Sequence, residues 1–212
     1  MPGQVVKYAG IASSERVHQG EVLSGIVRVR QSLASIGSQD IGVDEITHAY
    51  LVVMTQDCEL AQDANAREIQ KQAQQDAPRI DDPDFKKKLD NAPKLKIENV
   101  LFCEAMPTAD MKNSLPQGKD IWKRIIQNKD ERYHCIEPCP SEQDLAAQGL
   151  PSLGCDFKRF FTMPIDEVLK RIELEPTARR TRLVTPYAEH LLHRFCNFQA
   201  RIPLPENHDV PL

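Results

Sequence analysis

Glycine is scarce in this chain of 212 residues: nine glycines stand against fifteen prolines, and there is a single tryptophan. Stiff connections therefore outnumber pliable ones. Long apolar runs are missing too. No stretch approaches the roughly 20 apolar residues of a membrane helix, which excludes a helical span and leaves no membrane role to expect. The start, Met1-Pro2-Gly3-Gln4, has no basic segment followed by an apolar one, so no secretory signal is expected. A Gly-rich phosphate loop, a Gly-x-Ser-x-Gly elbow and a His-Glu-x-x-His pair are all absent. Bulk positive charge is lacking as well. The net charge of -4 argues against a nucleic-acid binder that works by overall charge and leaves only a local basic face. Six cysteines without a signal read as reduced thiols in a cytoplasm. No internal repeat and no low-complexity tract is visible.

What is present reads as alternating strands and helices. Gly20 to Arg30 is a first strand, with Ile26, Arg28 and Arg30 on one face and Val27 and Val29 on the other. The apolar run Ala49 to Met54 closes a second strand over 46–54 and stops abruptly at Thr55-Gln56-Asp57-Cys58-Glu59. Polar groups at the end of a buried strand place chemistry at a rim. Residues 61–92 change character: they are rich in Gln, Ala, Asp and Lys and nearly lack large apolar residues. They read as a solvated helical insertion, or as a partner-binding arm. Asp63 to Gln75 should be helical, with Ala64 and Ile69 inward, and Asp82-Pro83-Asp84 should cap a short helix over 85–89. Strands follow at Lys96 to Ala105, Arg132 to Ile136 and Leu153 to Met163, and a helix at Ile121 to Asn128. A helix from Pro164 turns Ile165, Val168, Leu169 and Ile172 inward. A last helix from Pro186 does so with Tyr187, Leu191, Phe195 and Phe198. Residues 1–19 read as largely irregular and 203–212 as extended.

Several of these stretches resemble the PemK/MazF-type toxin family. Gly20-Glu21-Val22-Leu23 resembles its opening, and Leu51-Val52-Val53-Met54-Thr55 its next strand. Val100 to Thr108 is similar to the strand ending in Pro-x-Thr, and Asp156 to Pro164 to the later strand that leads into a short helix. The resemblance covers about half the chain. It implies an SH3-like small barrel, often dimeric, that cleaves RNA or binds a partner, with Arg30 and Thr108 nearest the positions that carry catalysis. This chain is nearly twice the usual length and carries the insertion after Cys58. The C-terminal run Thr185 to Leu191, with Arg194-Phe195 and Arg201 to Pro205, resembles the ending of uncharacterised bacterial proteins and implies no activity.

Three constellations could carry chemistry. Cys58 has Asp57 and Glu59 beside it, and nearby anions oppose a thiolate. A nucleophilic Cys58 needs a partner from elsewhere, and His134 on a neighbouring strand is the candidate. The bland alternative is a packed thiol. Cys135, Cys139 and Cys155 are the candidate ligands of a zinc ion, the fourth ligand being open. Arg179, Arg180 and Arg182, with Arg194 and Arg201, make the C-terminal quarter locally basic. Such a patch holds phosphates, as nucleic acid would require, or is simply a solvated face.

The expectation is therefore one α+β domain over 1–212. It is a small bent antiparallel barrel with the helical insertion 61–92 and a C-terminal helix packed against it. Three functions stay open: a cytoplasmic bacterial toxin- or phage-defence-type protein acting on or binding nucleic acid at the barrel rim, a non-enzymatic component that docks a protein partner, and a thiol enzyme using Cys58 and His134.

Overall fold

The computed structural model describes residues 7–75, 82–115, 119–175 and 178–200. Among them run β1 (Tyr8–Ala9), β2 (Glu21–Gln31), β3 (Val43–Val53), α1 (Asp57–Gln75), α2 (Pro83–Leu95), β4 (Asn99–Pro107), α3 (Thr108–Ser114), α4 (Lys119–Ile126), β5 (Tyr133–Ile136), β6 (Leu153–Pro164), α5 (Ile165–Leu174), β7 (Arg179–Leu183) and α6 (Tyr187–Gln199). The tail expected over 203–212, and Arg201, lie outside the described residues.

All seven strands form one antiparallel sheet in the order β1-β7-β2-β3-β4-β6-β5. The sheet curls into a half-barrel, and its two edges meet. The Tyr8 hydroxyl on β1 donates to the Glu137 carbonyl just after β5, and Lys7 pairs with the Glu137 carboxylate. The segment after β5 completes the closure, with Leu145 N–H donating to the Arg180 carbonyl at 2.7 Å.

Alternation decides what fills the two faces. Tyr8, Val22, Val52, Cys103, Cys155, Phe157 and Leu183 form one apolar cluster, which α6 covers with Ala188, Leu191 and Phe195. Phe195 meets Phe157 edge-on at 5.6 Å. Leu23, Leu51, Val53, Val100 and Phe102 form the other, under α5 (Ile165, Val168, Ile172) and Leu60 of α1. Each fully buried Leu or Phe contributes about 2 kcal/mol by removal from water. The spacing read for α5 and α6 is thus the spacing they bury.

Within 61–92, helices α1 and α2 pack on each other through a small core of their own, Ala66, Ile69, Phe85 and Ala92. Asp82 caps α2 through its side chain, which accepts from Asp84 N–H at 2.9 Å, with Pro83 at the first helical position. Several elements differ from the sequence reading: α2 runs on to Leu95, β3 starts at Val43, and α3 was not expected. Helix α1 starts at Asp57, because Asp57 and Glu59 suit the positive end of a helix dipole. The arginine run 179–182 is a strand between β1 and β2.

Candidate functional site

The site starts from a buried ion pair. Arg179 and Glu21 sit on neighbouring strands, with side chains 1% and 0% exposed and Nε–Oε1 at 2.6 Å. Burial pushes the Glu21 pKa up, against the pull of Arg179. Arg179 Nη2 donates to Glu21 Oε2 at 2.9 Å and to the Arg16 carbonyl at 2.8 Å, and Nη1 donates to the Glu15 carbonyl at 2.6 Å. Glu21 accepts from His18 N–H at 3.0 Å. Loop 12–18, which has no regular structure to hold it, is therefore fixed in place by one buried arginine and its carboxylate.

That loop presents His18 to the start of α1. The His18 Nδ1 lies 3.4 Å from Asp57 Oδ1, and Nε2 lies 3.4 Å from Glu15 Oε2. Arg182 Nη1, from β7, stands almost equidistant from the two ring nitrogens at 3.1 and 3.2 Å. Asp57 is clamped by Arg16 through both carboxylate oxygens, at 3.0 and 2.5 Å. A reciprocal pair of bonds adds to the clamp: Gln19 N–H donates to Asp57 Oδ1 at 3.2 Å, and Asp57 N–H donates to Gln19 Oε1 at 3.1 Å.

The electrostatics follow from these contacts. Burial, reinforced by Arg16 and Arg182, holds the His18 pKa below its ordinary value, so the imidazole is neutral at pH 7. Burial also opposes the Asp57 charge, yet the bonds from Arg16 and Gln19 N–H outweigh it and keep the carboxyl below the usual carboxylate range. The charge of Arg182 also acts on Glu15 and Glu21, pulling both pKa values down.

Helix α6 supplies the opposite wall. Gly20 (φ +73°) lets it approach: a Cβ there would stand 2.8 Å from the Ala188 Cβ. The result is an open cleft of about 390 Å³ between His18, Gln19, Asp57 and Arg182 on one side and Thr185, Ala188 and Glu189 on the other. Thr185 Oγ1 donates to Glu189 at 2.7 Å. The cleft thus offers a neutral histidine between two carboxylates, Asp57 and Glu15, with a cation, Arg182, against its ring.

Of the residues singled out in the sequence, Asp57 and Arg182 reach this cleft. Arg179 lies beneath it, and Arg180 is spent on Asp144, 2.7 and 2.8 Å away in a bidentate pair. These two buried guanidiniums are not a solvated or phosphate-holding face. Their partners come from distant parts of the chain and neutralise them inside the fold. Arg30 is exposed and sits 3.5 Å from Asp44, and Thr108 begins α3; neither lines the cleft.

Cys58 is exposed on the first turn of α1, its thiol 3.6 Å from Gln56. His134 is buried against Phe157 and His190, and burial with Arg194 and His190 nearby pushes its pKa down to about 3. The contacts of Cys58 and His134 have no member in common.

Cys135, Cys139 and Cys155 do not converge either. Residues directly opposite on an antiparallel pair share a face, and the register His134↔Cys155, Cys135↔Gly154 puts Cys135 on the other face from Cys155. Cys135 packs beside Met111, Ile125 and Tyr133, while Cys139 and Cys155 join the cluster under α6. Among the described residues, no three His, Cys, Asp or Glu side chains are placed to hold a metal ion.

The sequence reading missed Arg16, His18, Gln19, Thr185 and Glu189. Loop 12–19 has no hydrophobic period, and its one local signal is His18-Gln19-Gly20 directly before a strand. Compared with family models, with curated proteins and with solved structures, the chain matches none.

Proposed function

We propose that the cleft is a phosphodiester site and that the protein binds and cleaves single-stranded RNA there. The observation that carries this reading is the neutral His18 held between Asp57 and Arg182 on the wall of an open cleft. A general base must be unprotonated at working pH and oriented, and His18 meets both conditions. Arg182 anchors a phosphate oxygen and meets the charge that grows on it as the reaction proceeds. His18 takes the proton of the ribose 2′-hydroxyl, the 2′-oxygen bonds to phosphorus, and the bond from phosphorus to the 5′-oxygen breaks. That oxygen takes its proton from water at the open mouth. The strand motifs that resemble PemK/MazF-type toxins imply the same reaction class, and a toxin- or phage-defence-type role is consistent with it. The residues differ, since Arg30 and Thr108 stand outside the cleft.

Incubation of labelled single-stranded RNA with the protein, with a chelator present to silence metal-dependent contaminants, tests the reading. Cleavage is expected to rise with pH through the His18 pKa and level off near neutrality. His18→Ala should abolish it, and Arg182→Gln should raise KM. Intact RNA with the wild-type protein, or a His18→Ala variant as active as wild type, contradicts the reading.

A docking role has its own observation, an apolar arm at the far end of the sheet, where the outer halves of β2 and β3 have only each other as strand partners among the described residues and Leu33, Ile36 and Ile41 are exposed.

A further inference from the structure

The phosphodiester chemistry uses one wall of the cleft, His18, Asp57 and Arg182. The opposite wall takes no part in it, and it has an order of its own. Deep in the cleft it is apolar, with Leu183 at the end of β7, Val184, and Ala188 on α6. Leu183 and Ala188 are buried and Val184 is half-buried. At the mouth it is polar and exposed. Glu189, on the first turn of α6, sets its carboxylate there, and the Thr185 hydroxyl donates to Oε1 at 2.7 Å. That bond takes one lone pair of Oε1 and none of Oε2, and Glu189 forms no ion pair among the described residues.

A nucleotide has the complementary order: an anionic phosphate, a flat base with apolar faces, and a polar base edge. With the scissile phosphate on Arg182 and the 2′-hydroxyl at His18, the base of the same nucleotide lies along Leu183, Val184 and Ala188 and turns its edge to Glu189. An apolar surface accepts any base face and discriminates little. The carboxylate discriminates.

We propose that Glu189 makes the cleft specific for guanine in the nucleotide that supplies the 2′-hydroxyl, a proposal that rests on the phosphodiester reading above. An ionised carboxylate is an acceptor only, with two oxygens side by side. Among the four bases only guanine sets two donors together on its Watson–Crick edge, N1–H and the 2-amino group. Those two donors meet a carboxylate as a bidentate pair, the geometry in which charge-assisted hydrogen bonds are strongest. Adenine and cytosine set one amino donor beside a ring-nitrogen acceptor, and uracil sets N3–H between two carbonyl oxygens. Each of these turns a lone pair toward the carboxylate, so repulsion adds to the missing bond. Thr185 is the positioning residue: its hydroxyl holds the carboxylate before the base arrives, which lowers the ordering cost of binding.

The test uses 2′-O-methyl RNA strands that carry one unmodified ribonucleotide, because only there is a 2′-hydroxyl present to attack. Guanosine, inosine, adenosine, cytidine and uridine are compared at that position with the full chain. Inosine is guanosine without its 2-amino group, so this arm needs no variant. The expected kcat/KM for guanosine is about tenfold above that for inosine and for the other three, as one exposed bidentate pair supplies. Glu189→Gln replaces one acceptor by a donor. It should bring guanosine down to inosine or below, with the circular dichroism spectrum unchanged. Similar rates for all five strands overturn the proposal and leave the phosphodiester reading standing. So does a guanosine preference that survives in Glu189→Gln. Failure to cleave both these strands and unmodified RNA overturns the two together.

Discussion

The two ends of the curled sheet treat polar and apolar groups in opposite ways. At the cleft end, charge is drawn inside: Arg179 and Glu21 are buried together, and their spare bonds fix the loop that presents His18. At the arm end, apolar side chains are pushed out, and Val29, Leu33, Ile36, Ile41 and Val43 stand in water. A rigid polar concavity suits a small charged group, whereas a projecting apolar ribbon suits another protein surface. One sheet therefore separates two tasks by distance, and changes at one end should leave the other intact.

The strongest blow to the cleft end is Arg179→Ala. It leaves Glu21 buried without its cation and frees loop 12–18, so the expected loss is about 3–5 kcal/mol in chemical denaturation. A loss below about 1 kcal/mol would mean that the pair does not hold the fold there.

Acid should weaken the half-barrel through His134. Burial first, then Arg194 and His190, lower its folded pKa from 6.5 to about 3. Below about 6.5 the unfolded chain takes up a proton that the folded chain refuses, so stability falls as pH drops, by about 1.4 kcal/mol per pH unit. Urea midpoints between neutral pH and about pH 5 should show this slope, and His134→Leu should reduce it, with His18 and His48, also held low by burial, contributing the rest. Asp57, Asp144 and Asp156, whose pKa values are held low against burial by Arg16, Arg180 and Arg132, act in the separate window below the ordinary carboxylate pKa.

Smaller effects are expected where the chain is solvated. Replacing 68–93 by a short Gly/Ser linker removes Ile69, Phe85 and Ala92 of the little core but spares Leu60, which packs on the sheet. The melting temperature should shift by a few degrees only. The cut must fall beyond Arg67, since Asp63 accepts from Ile97 N–H at 3.1 Å and Arg67 pairs with Asp63 at 2.6 Å. Smallest of all, Ile41→Asp should change the stability of the single chain by less than about 0.5 kcal/mol, because the side chain lies in water there.

Much of the scaffold was legible from local pattern. β2, β3, β4 and β6 announce themselves by apolar runs, α5 and α6 by helical spacing, and α2 by Asp82-Pro83. β7 was not, because Arg179-Arg180-Thr181-Arg182 carries the signature of a solvated patch. What makes it a strand is pairing with Glu21 and Asp144, and no local signal announces partners 158 and 36 residues away. The cleft was half legible for the same reason. Asp57 stood out at the end of an apolar run, while His18 gains its role only when β7 brings Arg182 against it. Cys58 drew attention by its place in sequence, but the helix that begins at Asp57 turns it outward.

The most direct measurement is the affinity of a fluorescent single-stranded RNA for the wild-type protein and for Arg182→Gln, read by anisotropy at two salt concentrations. Arg182 bonds the His18 ring and acts on Glu15 and Glu21 through its charge, so circular dichroism must first show that the variant keeps the fold. The account expects binding to weaken by about tenfold, or about 1.4 kcal/mol, with a salt slope smaller by about one. Equal affinity for the two proteins, or no binding by the wild type, would contradict it.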